Sequence, residues 1–137
     1  MSTKRPSKIV PRPGDVAPSR RDAKGLAGNF RDRDLLDLAH DINECTLQLP
    51  GVCTGYSPHG CEPAHSNFSI HGKGARIKAH DNFHAASCHA CHAELDQGRR
   101  FTYEQKMEYF VRAHERTMLE YFRRGWVGVT AEGRRVK

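Results

Sequence analysis

The chain predicts a single small α+β domain that closes on a long C-terminal helix. Three observations carry this. Residues 102–125 combine a helix-start signal with apolar residues at helical spacing. The centre of the chain is cut into short segments by Pro50-Gly51, Ser57-Pro58-His59-Gly60 and Gly72-Lys73-Gly74, which suits short strands and turns. Two cysteine pairs, Cys45/Cys53 and Cys88/Cys91, offer a staple of the kind a small core needs.

At 137 residues with 37% apolar composition, the chain has material for one modest core with tails. A formal net charge of +6 favours a polyanionic partner. No apolar run approaches the roughly eighteen residues that span a bilayer. The N-terminus is basic but has no apolar h-region, which argues against a secretory signal and for a cytoplasmic protein. In that reducing setting five cysteines, an odd number, read as metal ligands before disulfides.

Residues 1–28 carry seven Lys or Arg against two Asp and lack apolar periodicity, so they read as a disordered basic arm. Either it solubilises the domain or it contacts nucleic acid. The domain proper then spans 29–130, with 131–137 as a tail. Phe30–Ile42 fits a short helix with Leu35, Leu38, Ala39 and Ile42 on one side. Ala64–Ile70 fits a strand, Gly72-Lys73-Gly74 a hairpin tip, and Ala75–Ile77 the returning strand. A helix is expected from Cys88 to Asp96, broken by Gln97-Gly98-Arg99-Arg100. Thr102 and Gln105 then form a capping box, and Tyr103, Met107, Phe110, Val111, Met118 and Phe122 mark the apolar stripe of a helix that Gly125 stops.

Cys45, Cys53, Cys88 and Cys91 together supply four thiolates. Soft sulfur in fours selects zinc, and a closed four-cysteine shell leaves no open position for catalysis. Cys61 is the expected bystander, with displacement of Cys53 as the alternative. His92 and Asp96 stand four apart on the expected helix, so they share a face and can grip a second ion, Mg2+, Mn2+ or Zn2+. His65 is the candidate base that takes a proton from water, with the ion stabilising the leaving oxygen. His59, His71, His80 and His84 read as surface residues in polar loops, His89 as solvent-facing, and His114 as a satisfied, half-buried histidine.

The run Glu44-Cys45, Pro50-Gly51-Val52-Cys53, Ala64-His65, Asp81, Cys88-x2-Cys91-His92 and Asp96 resembles the HNH, or His-Me finger, endonucleases. Within them it is most similar to the small prophage-encoded YbcO-like nucleases, over most of the chain between the arm and about Val129. The resemblance implies a ββα-metal core, with His65 as general base, Asp81 or Asn82 in the middle position, and His92 as metal ligand. One departure stands out. Many such enzymes carry Asp or His just before the catalytic histidine as a metal ligand, and here that residue is Ala64. Either His65 itself meets the ion, or Asp81, water and substrate phosphate complete the shell; Glu62 is a more distant substitute.

Double-stranded DNA is the expected partner, touched by Lys73, Arg76 and Lys78 at the hairpin and by Arg99 and Arg100 after the helix. Such phosphate contacts give affinity without sequence information. The expected function is metal-dependent DNA hydrolysis in a phage or prophage setting. The alternative is a non-catalytic, zinc-stabilised DNA-binding or recombination-accessory protein.

Overall fold

Asp32 starts the first helix by placing its side chain against the Leu35 amide at 3.1 Å while its own backbone is extended. In the computed structural model, which describes residues 28–130, helix α1 spans Arg33–Asp37 and tightens into a 3-10 turn at Leu38–Asp41. Ala39 and Ile42 are the residues it buries. The expected arm lies outside the described residues except for Gly28, as does the expected tail.

Among the described residues the sheet has two strands. β1, Glu62–His65, pairs antiparallel with β2, His84–Ser87, in the register Glu62↔Ser87 to His65↔His84. This corrects two sequence expectations. The strand expected at Ala64–Ile70 begins earlier and stops at His65, because Phe68 turns into the core and a 3-10 turn follows at Ser69–His71. Ala75–Ile77 is not its partner: it makes one isolated bridge, Gly74↔Ile77, with Arg76 at a left-handed φ of 73°. The real partner, His-Ala-Ala-Ser, carries no β-branched residue and no alternation, since all four positions are buried.

Among the described residues β2 has β1 on one edge and no strand on the other. That second edge is closed by side chains and a loop. The Thr46 amide donates to the Ala86 carbonyl at 2.9 Å, and the Ala86 amide donates to Thr117 Oγ1 at 3.0 Å. Backbone groups this deeply buried need such partners.

Helix α2, His89–Gln97, opens on Cys88, whose sulfur accepts from the Cys91 amide at 3.4 Å. Helix α3, Tyr103–Arg123, opens on the expected capping box of Thr102 and Gln105. It ends in a Schellman motif: Gly125 takes φ 77° and the Trp126 amide reaches the Tyr121 carbonyl at 2.9 Å. The buried stripe of α3 is Phe110, Ala113, Thr117 and Tyr121. Tyr103 and Phe122, expected on that stripe, are each 55% exposed. Phe110 joins Leu47, Leu49, Phe68 and Leu95 in one apolar cluster, and Tyr121 joins Ala39, Ile42, Cys61 and Ala86 in another. Among the described residues no helix is long and apolar enough to cross a membrane.

Candidate metal centre and the adjoining cleft

Cys45, Cys53, Cys88 and Cys91 converge so that their four sulfurs lie within 4.8 Å of one another. Two come from the turn-rich loop and two from the start of α2. Every sulfur also meets a backbone amide. Leu49 N–H approaches Cys91 Sγ at 3.5 Å and Gly55 N–H approaches Cys53 Sγ at 3.2 Å. Cys88 receives the Cys91 amide, and Cys45 those of Gln48 and Cys88. Amides pointing at sulfur favour thiolate. The Cys91 hydrogen bond draws the Cys45 thiol down to about 5 despite its burial. Cys91, beside that developing charge and buried, is pushed up. Four such groups in one small volume can all ionise only around a cation, and four soft donors at this spacing fit zinc. Cys61 lies apart, 1% exposed in the second apolar cluster.

Beyond the cluster, α2 forms one wall of an open cleft of about 530 Å³. His65 ends β1 at its edge. Its Nε2 donates to Asp81 Oδ1 at 2.8 Å, which leaves Nδ1 as the basic nitrogen of the neutral ring. Asp81 lies behind His65, 3% exposed, and accepts further from Arg31 and from the Asp32 amide. Burial works against its charge, but these donors hold its carboxyl below the usual range.

His92 and Asp96 share one face of α2, with Nε2 and Oδ2 3.3 Å apart. Asn67 steadies the other Asp96 oxygen at 2.8 Å. Glu62, the more distant substitute for the ligand absent at Ala64, meets His92 directly. Pairing of β1 against β2 brings it over α2, where Oε1 accepts from His92 Nδ1 at 2.7 Å and Oε2 from His89 Nδ1 at 2.9 Å. The Asp96 hydrogen bond, helped by Glu62, raises His92 to about 9 against the cost of burial. His89 is exposed, but paired with Glu62 rather than free.

Of the cationic residues expected to contact DNA, Lys73 and Lys78 line the cleft. Arg76 is exposed on the intervening turn and is not part of the lining. Arg99 and Arg100 are exposed beyond the end of α2 and do not line it; the Arg100 guanidinium lies against Gly51, in the loop of the thiolate cluster. Asn82 is half-buried and also lies outside the lining, so of the two middle candidates only Asp81 reaches His65.

Sequence reasoning missed Arg33, Asp37 and His40, which line the same cleft from α1 and its 3-10 turn. Their i, i+4 and i, i+3 spacing was legible; what they face was not. His84 is a second correction. Expected at the surface, it is fully buried in β2, with Nδ1 donating to the Asp81 carbonyl at 2.6 Å and Nε2 accepting from Tyr121 at 2.9 Å. Burial lowers it to about 4, so it is neutral at pH 7. His71, also expected outside, is half-buried, bonded to Ser66 at 2.6 Å and stacked on Phe83. His80 accepts the Phe30 amide at 2.9 Å. His114 reaches the His84 carbonyl at 2.9 Å and is half-buried.

No family model matches the chain, and no curated protein does. Among solved structures the fold is similar to that of a "putative bacteriophage protein" from Escherichia coli str. K-12 substr. MG1655, with a TM-score of 0.50 and 25% identity over 66% of this chain and 99% of that one.

Proposed function

We propose that the protein is a metal-dependent DNA endonuclease of the His-Me finger type, encoded by a phage or prophage. The observation that carries this is one open cleft in which His65, backed by buried Asp81, shares the lining with the His92–Asp96 pair. The succession β1, β2, α2 is the order a ββα-metal core requires, and the likeness to a phage protein agrees with the setting.

In this reading His65 Nδ1 takes the proton of the attacking water, and Asp81 holds the ring and offsets the charge it gains. His92 Nε2 and Asp96 are the residues that would hold the ion, with Glu62 fixing the His92 ring through Nδ1, a carboxylate–histidine arrangement that sets tautomer and orientation. A divalent ion there supplies Lewis-acid stabilisation of charge on the scissile phosphate. Lys73, Lys78 and Arg33 would meet flanking phosphates, so affinity should fall steeply with salt. The four cysteines would hold a structural zinc and take no part in the chemistry.

A plasmid-nicking assay across Mg2+, Mn2+ and Zn2+ tests the reading. His65→Ala should still bind DNA yet cut about 10²–10⁴-fold more slowly. His92→Ala should demand more metal. If both variants nick as fast as the parent, the cleft is not the active site. A rival reading, a zinc-stabilised DNA-binding module, is favoured by how fully Glu62 and Asp96 already pair His92; a protein that binds DNA but is inert with every ion would select it.

A further inference from the structure

His40 is the one cleft-lining histidine that the reading above leaves without a task. It is exposed, on the 3-10 turn after α1, and its ring is nevertheless fixed. Nδ1 lies 3.0 Å from the Cys61 carbonyl. A carbonyl only accepts, so Nδ1 carries hydrogen and Nε2 is the working nitrogen, with no partner among the described residues. The anchor is itself rigid. Cys61 is buried, and its amide donates to the Ile42 carbonyl at 2.8 Å. Gly60 before it takes φ 95°, and a Cβ there would stand 2.0 Å from the His40 carbonyl oxygen. Only glycine lets the lead-in to β1 close on His40 from this side.

The other histidines outside the proposed reaction do not line the cleft, and His71, His80, His84 and His114 have partners that packing explains. His40 therefore differs from them. Its polar tip is preorganised toward an open cleft, on a segment separate from those that bear His65 and His92.

We propose that His40 is the general acid of phosphodiester cleavage, an assignment that rests on the nuclease reading. The water oxygen bonds to phosphorus and its proton passes to His65. His40 enters the step as imidazolium, with hydrogen on both ring nitrogens. The bond from phosphorus to the leaving sugar oxygen breaks, and that oxygen takes the Nε2 proton of His40, leaving as a neutral alcohol. His65 ends protonated and His40 neutral. Exchange with solvent resets both, and no further reactant is needed.

The test compares leaving groups. DNA expels a poor alkoxide, whereas bis(p-nitrophenyl) phosphate expels a stable phenolate that needs no proton. The variant is His40→Asn, whose side-chain amide can still donate to the Cys61 carbonyl, with His40→Ala beside it. His40→Asn should cut DNA about 10²–10⁴-fold more slowly. It should hydrolyse the nitrophenyl ester at close to the parental rate, and its DNA affinity by fluorescence anisotropy should be unchanged. His65→Ala should lose both activities. An equal loss on both substrates in His40→Asn, or undiminished DNA cutting, overturns the acid role while leaving the nuclease reading intact. A parent protein inert on both substrates with every ion overturns both.

Discussion

Cys88 and Cys91 stand at the start of α2, His92 directly after them and Asp96 one turn on, yet the two pairs lie in opposite surroundings. The sulfurs are largely buried and held by backbone amides, so their positions follow from the chain trace itself. The cleft residues are half-exposed and held by other side chains: Glu62 on His92, Asn67 on Asp96, Asp81 on His65. A closed site supported by the backbone resists exchange and suits stability. An open one supported by side chains can trade a partner for substrate or metal. One helix thus serves both, because its buried face carries Cys91 and Leu95 while the adjoining open face carries His92 and Asp96.

That contrast breaks first, and with the largest effect, at the cluster. Thiolate-bound zinc contributes on the order of 10 kcal/mol or more, against a total stability of about 5–15 kcal/mol for a domain of this kind. Chelation in reducing buffer, or Cys88→Ser, should therefore unfold the domain and take the cleft with it. Circular dichroism with metal analysis checks this; a folded, reduced, zinc-free protein would sink the structural role.

A smaller effect is expected beneath the cleft. His84 is neutral when folded, lowered to about 4, and ordinary when unfolded. A base depressed by folding gives stability that is complete above its unfolded value of about 6.5 and is lost as pH falls to about 4, here about 3 kcal/mol. Denaturant melts of the parent and of His84→Gln isolate this from acid release of metal, since only the parent carries the extra slope. Parallel slopes would show that His84 is not held neutral.

The smallest effect separates the two regions most cleanly. Glu62→Gln should leave the thiolate-bound zinc and the melting temperature nearly unchanged. If the cleft holds the proposed ion, the same change should weaken its binding about 10–100-fold, because the His92 ring loses its carboxylate partner. Metal titration by calorimetry measures it, and equal affinities would assign Glu62 to the surface.

The parts of the molecule that depend on local chemistry were legible in the sequence. The Thr102 capping box, the Gly125 stop, the helix opening at Cys88 and the four-cysteine set each rest on residues whose roles are decided within a turn or by donor type. Failure came where a partner had to be chosen. Ala75–Ile77 looked like the returning strand because it follows a glycine tip, while His84–Ser87, buried on every side, had no alternation to betray it. Glu62 stands thirty residues from His92 in the chain, and only strand pairing lays it across α2. His84 looked exposed because its polar neighbours hide a position that Tyr121, from a distant helix, covers. Spacing along a chain encodes helix faces and caps. Which faces meet is settled by burial of all the apolar surfaces at once, so the cleft, unlike the helix that carries half of it, existed only in the tertiary structure.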